Sequence, residues 1–287
     1  HTQKARIEEV HIGYIENDSK PLHELGKMSK EVSRAIIQKA MQQNKPNANL
    51  EELQSFSEIR DQMDFAIRES VMGLEKIALF DMDNTILRGR FIDTCAKLYG
   101  FEKELLNIRG SGSDTASTTK NVARLLKGLN LSQILAVAES IPPVDDVADV
   151  VKELKNRGYV VGIISDSYDV VTNYVKTKIG ADFSLANELE FSKSVATGEV
   201  KIPSFLFNTQ DSLCKHTICK TNAVQHILKH YKIDINNAIA IGDSENDLCM
   251  IKHVGVGISF CSTNELLNYL ADRQITVPSF SELLEFA

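Results

Sequence analysis

No stretch of this chain holds the roughly 18 consecutive apolar residues that a membrane-spanning helix needs. No secretory signal opens it either. The cysteines lack a framework spacing: the five present, Cys95, Cys214, Cys219, Cys249 and Cys261, are odd in number and irregularly placed. Free thiols in a reducing, cytoplasmic setting are expected rather than a disulfide scaffold. Positive charge is in short supply as well. Lysine and arginine total 32 against 39 aspartates and glutamates, for a net charge of −7. That balance disfavours a general nucleic-acid or anionic-membrane surface. An initiator methionine is missing, since the first residue is His1, so the sequence reads as a piece with residues absent upstream.

What is present is ordinary for a globular protein. Of 287 residues, 43% are hydrophobic and 25% charged, enough for a sizeable core in one large or two ordinary domains. Residues 1–74 read as a separate, mostly helical appendage. A loose alternation over 5–15 is broken at Asn17-Asp18-Ser19 and Pro21. Helical spacing follows in Val32, Ile36, Ile37 and Ala40, and again in Leu53, Phe56, Ile59, Met63 and Ile67. No chemistry is visible there. Three uses stay open: a homodimerisation hairpin, a regulatory module, or the tail of an upstream domain.

From Ile77 onward, short apolar runs alternate with helical patterns. The run Ile77-Ala78-Leu79-Phe80 ends in Asp81-Met82-Asp83-Asn84-Thr85. Residues 159–164 form a second apolar run that ends in Ser165-Asp166, and residues 238–241 a third that leads into Gly242-Asp243. Residues 92–107, 115–127, 131–140, 145–157, 170–178 and 220–231 have helical patterning. A short strand is expected at Phe183–Asn187, and 188–213 reads as an irregular excursion. Near-continuous apolar strands between helices imply a doubly wound, Rossmann-like parallel sheet covered on both faces. In such sheets the site lies beyond the carboxyl ends of the strands.

Each polar strand end, taken singly, is what any strand shows on leaving a core. Together they place Asp81, Asp83, Asp243 and Asp247 at one sheet edge. Residues i and i+2 of a strand share a face, so Asp81 and Asp83 would crowd each other unless a cation or a shared proton compensates. Hard oxygen ligands with excess negative charge suit Mg²⁺. Asn246 has the reach to orient a neighbouring carboxylate. Lys220 reads by itself as an ordinary solvated lysine at a helix start; with three anions nearby, the alternative is that it neutralises a phosphate or the nucleophile.

These residues resemble the four motifs of the haloacid-dehalogenase superfamily of phosphatases, in order: Asp81-Met82-Asp83-Asn84-Thr85, Ser165, Lys220, and Gly242-Asp243-Ser244-Glu245-Asn246-Asp247. The likeness covers about residues 75–287 and is closest to the phosphoserine-phosphatase-like branch. It implies a catalytic core over 75–90 and 150–287 and a helical cap over 91–149. It also implies Asp81 as nucleophile, Asp83 as general acid and base, and Mg²⁺ held by Asp81, Asp83, Asp243 and Asp247. Ser165 and Lys220 would grip the phosphoryl oxygens, with Thr85 and Asn246 in support. A small phosphorylated metabolite is the implied partner.

The sequence departs from phosphoserine phosphatases where substrate is selected. Their glutamate for the substrate ammonium is matched by Arg90, with Arg88 nearby, and a cation cannot hold an ammonium. Two arginines suit a carboxylate or a second phosphate, unless they are surface charges of the cap. The cap arginine has no clear match among Arg109, Lys120 and Arg124. Asp166 stands where close relatives carry glycine, adding negative charge near the phosphate. Alternative functions are a phosphotransferase, a phosphatase for a more anionic metabolite or lipid head group, and a non-catalytic phosphate-binding module. Cys214-Lys215-His216-Thr217-Ile218-Cys219 contains ligand types, but the run lacks a second pair at zinc spacing, so no zinc site is expected. The Gly-Ser-rich loop at 109–120 does not match a phosphate-binding P-loop.

Overall fold

A computed structural model of the chain describes residues 76–287. The appendage expected over 1–74, with its strand and two helices, lies outside the described residues. Strand β1 (Lys76–Phe80) occupies the middle of a seven-stranded sheet. To one side lie β2 (Tyr159–Tyr168), β3 (Phe183–Ser192) and β4 (Val195–Lys201); to the other lie β5 (Ala238–Gly242), β6 (Val256–Phe260) and β7 (Arg273–Ile275). All pairings are parallel except β3–β4, an antiparallel hairpin.

The central strands are apolar throughout because both faces are covered. In β1, Ala78 and Phe80 face one core while Ile77 and Leu79 face the other. In β5, Ile239 and Ile241 join the first core and Ala238 and Ala240 the second. Helix α5 (Val147–Asn156) supplies Val147, Val150, Val151 and Leu154 to the first core, a stripe at i, i+3, i+4 and i+7. Helix α7 (Lys220–Tyr231) supplies Ala223, Val224, Ile227 and Leu228 to the second.

Between β1 and α5 come four helices: α1 (Phe91–Tyr99), α2 (Glu102–Arg109), α3 (Thr115–Leu125) and α4 (Leu131–Ser140). Gly100 separates the first two in a left-handed conformation with φ 76°, which ends a helix at little cost only for glycine. Asn130 and Gln133 form a capping box at the start of α4. Helix α6 (Asp169–Ile179) links β2 to β3, and the short helices α8 (Leu248–His253) and α9 (Glu265–Leu270) follow β5 and β6.

Two expectations are corrected. Residues 188–201 are not irregular. They extend β3 and form β4, and the hairpin tip bonds to the helical insertion, with Leu131 N–H donating to the Ser194 carbonyl and Ala196 N–H to that of Leu129. Glycine and polar residues hid this hairpin because neither strand is apolar: β4 packs only one face. Strand β2 also does not end at Ser165 but runs to Tyr168, with a register irregularity against β3 after Ile164. Its last residues alternate, with Ser165 and Ser167 buried and Asp166 exposed.

Candidate active site

The chain winds from β1 toward β4 on one side and from β5 toward β7 on the other, so the strand order reverses between β1 and β5. That point, at the carboxyl ends, is where a doubly wound sheet opens a crevice. Phe80 is in register with Ile163 of β2 and Ile241 of β5. The residues just past those positions, Asp81, Ser165 and Asp243, therefore emerge at one edge.

Asp81 is 4% exposed and its N–H donates to the Ile241 carbonyl at 2.8 Å. The chain then turns: Leu87 N–H returns to the Met82 carbonyl, and Asn84 takes φ 58°, a left-handed conformation that asparagine tolerates better than most residues. This turn brings Asp83 against the start of α1, where Phe91 N–H donates to its Oδ1 at 2.7 Å. At β5, Asp247 folds back on Gly242. A Cβ on Gly242 would lie 2.4 Å from the Asp247 Cγ, so glycine is required for this approach.

Lys220, the first residue of α7, is 3% exposed. Its Nζ donates to Asp81 Oδ1 at 2.5 Å and to Asp247 Oδ1 at 2.7 Å. The other Asp247 oxygen accepts from the Asp243 N–H, the Ser244 N–H and the Ser244 hydroxyl at 3.1–3.2 Å. Both Asp247 oxygens are thus engaged. Asp243 differs: its Oδ1 is buried with no hydrogen-bond partner. Its Oδ2 meets the Asn84 amide at 3.4 Å and Arg90 Nη2 at 3.9 Å.

Electrostatics follow from this crowding. Burial pushes the Asp81 carboxyl well above the carboxylate range despite Lys220, and Asp247 and Asp83 add to the rise. Asp83 is pushed up to about 6, chiefly by burial, against the pull of the Phe91 N–H, Lys220 and Arg90. Burial and Asp247 also raise Asp243. For Lys220, burial opposes the charge, but Asp247, Asp81 and Asp166 outweigh it and hold the ammonium well above its ordinary value. One buried ammonium does not balance these carboxylates. One oxygen from each of Asp81, Asp243 and Asp247 lies within 4.8 Å of the others. Such a hard-oxygen set, with an orphaned buried Asp243 oxygen, fits a divalent cation.

The other expected residues fall as follows. Ser165 is 1% exposed and its Oγ accepts from the Ser167 N–H at 3.1 Å. Asp166 is exposed by surface area but closely surrounded by protein, which raises its carboxyl with help from Asp247, while Lys220, the Asn246 amide and Arg90 lower it. The Asn246 amide hydrogen-bonds Asp166. Thr85 is buried but its hydroxyl finds no partner among the described residues. Arg88 does not join Arg90, since it pairs with Asp145 at 2.7 Å. Arg109 pairs with Asp93 at 2.6 Å, Arg124 donates to Asn121, and Lys120 is exposed. Sequence reasoning missed Asn84 and also Asn187, whose amide donates to the Asp166 carbonyl at 2.7 Å. Asn84 carried a signal in its preference for left-handed turns; Asn187 carried none.

Comparison with known proteins agrees with this geometry. Residues 78–252 match the haloacid dehalogenase-like hydrolase family. The phosphoserine phosphatase of Methanocaldococcus jannaschii is 31% identical over 217 residues, covering 74% of this chain and 97% of that protein. The Archaeoglobus fulgidus phosphoserine phosphatase is 29% identical over 70% of this chain, which spans only 57% of that relative. A solved structure described as a phospho-aspartyl intermediate analogue of phosphoserine phosphatase superposes with a TM-score of 0.62 at 30% identity, covering 74% of this chain and 98% of that one.

Proposed function

Because this chain belongs to the haloacid dehalogenase-like hydrolase family and is a phosphatase of its phosphoserine-phosphatase-like branch, we propose that it cleaves a small phosphomonoester through an aspartyl-phosphate on Asp81, with Mg²⁺ as cofactor. The single observation that carries the reading is the buried Asp81–Lys220 pair at 2.5 Å, set beside an Asp83 carboxyl raised to about 6.

Lys220 favours the ionised form of Asp81, whose oxygen attacks phosphorus. A bond forms between Asp81 and phosphorus while the ester P–O bond breaks. The departing oxygen takes a proton from Asp83, whose raised pKa keeps the acid form available near neutrality. The Asp83 carboxylate then accepts a proton from the water that attacks the phospho-aspartate, releasing phosphate and restoring Asp81. Ser165 and Lys220 steady the phosphoryl oxygens, so most of the work is positioning and charge neutralisation. Bound Mg²⁺ supplies a Lewis acid that draws off charge from the phosphoryl group.

Asp81 and the unpartnered Asp243 oxygen are its direct ligands in this reading. Asp247, with both oxygens engaged, holds Lys220 and the loop and would stand beside the ion as a further carboxylate. Helices α1 to α4, within residues 91–149, act as the cap, supported by the bond from Phe91 N–H to Asp83.

Phosphoserine is the first substrate to test, given the relatives. A more anionic metabolite is the second reading, favoured by Arg90, whose guanidinium sits 3.9 Å from Asp243 with 37% of its side chain exposed. The test is phosphate release from a phosphometabolite panel with Mg²⁺ and with EDTA, for the natural chain and Asp81→Asn. Release that needs both Mg²⁺ and Asp81 supports the reading. Equal release in every arm refutes it.

A further inference from the structure

The loop before α7 runs from Phe207 to Cys219 with almost no apolar support. Most of its residues are exposed. It is held by polar contacts: Asn208 N–H donates to the Thr217 carbonyl, the Asn208 amide to the Cys214 carbonyl, and Gln225 exchanges bonds with Leu213 and Asp211. A segment of this length without a core is usually fastened by something stronger.

Three ligand-type residues lie in it, Cys214, His216 and Cys219, at a spacing that by itself lacks a fourth donor. The fold brings the fourth from 30 residues downstream. Cys249, in the first turn of α8, has its Sγ 3.3 Å from His216 Nδ1. One ligand atom from each of Cys214, His216, Cys219 and Cys249 lies within 4.8 Å of the others. None of the four cysteines and histidines takes part in the phosphatase chemistry.

From this juxtaposition we propose that Cys214, His216, Cys219 and Cys249 form a structural zinc site. The donor set is three thiols and an imidazole, the soft, closed four-ligand type that selects zinc over oxygen-seeking cations. Zn–S bonds of about 2.3 Å and a Zn–N bond of about 2.0–2.1 Å place tetrahedral donors roughly 3.5–3.8 Å apart. The observed cluster needs only small side-chain movements to reach that figure. Outer support is present: the Cys219 sulfur accepts the Thr221 N–H at the start of α7 and lies 3.5 Å from the Thr221 hydroxyl, a donor to it once the sulfur is a thiolate.

The placement gives the site a purpose. Cys219 immediately precedes Lys220, and Cys249 follows Asp247 by two residues. A zinc ion would tie together the two segments whose side chains meet in the Lys220–Asp247 bond. Its four ligands leave no open position, so its role is to hold those segments, not to meet substrate.

The test uses the full chain, kept reduced, loaded with Zn²⁺ and passed through metal-free buffer, with zinc measured by elemental analysis. About one zinc per chain is expected to stay bound, and Cys249→Ser is expected to lower retention at least tenfold. Cys261→Ser, an exposed cysteine outside the cluster, should retain it. Co²⁺ in the natural chain provides a readout that needs no variant: intense tetrahedral bands with thiolate charge transfer are expected. Weak octahedral absorption alone would overturn the proposal. So would negligible zinc in the natural chain, retention unchanged in Cys249→Ser, or a thiol count showing two of the three cysteines joined in a disulfide.

Discussion

Two ligand clusters meet at one stretch of chain, residues 243–249, and differ in nearly every physical respect. Asp81, Asp243 and Asp247 are hard oxygen donors grouped at strand ends, with two of the three buried. Cys214, His216, Cys219 and Cys249 are soft donors grouped on an exposed loop and one helical turn. The first is assembled by the sheet: parallel register forces its members to one edge wherever the loops go. The second is assembled by a loop whose path no periodicity reports. If the first cluster performs the proposed chemistry and the second holds the proposed zinc, breaking the first should leave the second intact.

The largest effect is expected at the nucleophile. Asp81→Asn should lower kcat by at least about 1,000-fold, with bound zinc unchanged. Steady-state kinetics beside elemental analysis check both. Activity that survives, or zinc that is lost, would collapse the distinction between the clusters.

Lys220→Met comes next, because it removes the ammonium shared by the buried carboxylates of Asp81 and Asp247. Leaving them unpaired should cost about 3–5 kcal/mol of stability near neutral pH. Activity should fall about 100- to 1,000-fold. Urea unfolding should show the loss shrinking as acid protonates the carboxylates. A cost independent of pH would mean that packing, not charge, is what the lysine provides.

The third expectation concerns Asp83 and pH. Its folded pKa, about 6, lies above the ordinary 3.8. The folded chain therefore binds that proton more tightly than the unfolded chain. The associated stability is present below the unfolded value and is lost as pH rises through about 6. Without metal, Asp83→Asn should be more stable than the natural chain at about pH 8, by up to about 3 kcal/mol. The gap should close toward about pH 4. Thermal melts across that range would expose a carboxyl of ordinary pKa as a flat difference.

Arg90→Ala is the smallest change. KM should rise by about tenfold for the preferred anionic substrate and little for neutral esters. A uniform rise across a substrate panel would assign Arg90 to balancing Asp243 instead.

The carboxylate cluster was legible because its determinants are local. An apolar run of strand length ending in Asp81 and Asp83, and another ending in Gly242-Asp243, announce a doubly wound sheet and where its edge lies. Lys220 was legible from the anions around it only as an alternative to a solvated lysine, and the family likeness chose between the two. Its burial comes from α7 packing against the sheet. The hairpin of β3 and β4 was not legible, because one-sided strands with Gly198 and scattered polar residues look like loop. Thr85 was expected to support the site; its hydroxyl is buried without a partner among the described residues. Cys249 was invisible as a ligand for a different reason: only tertiary folding carries it to Cys214 and His216. Arg88 looked equivalent to Arg90 in sequence, and only the fold assigns it to Asp145.

The most direct test of the central claim is to trap the covalent step. The natural chain is mixed with phosphoserine and Mg²⁺, quenched in acid within the first turnovers, reduced with borohydride and mapped by peptide mass spectrometry. Modification confined to Asp81 is the predicted result. Turnover with Asp81 unmodified, or with the phosphoryl group found on another residue, would contradict it.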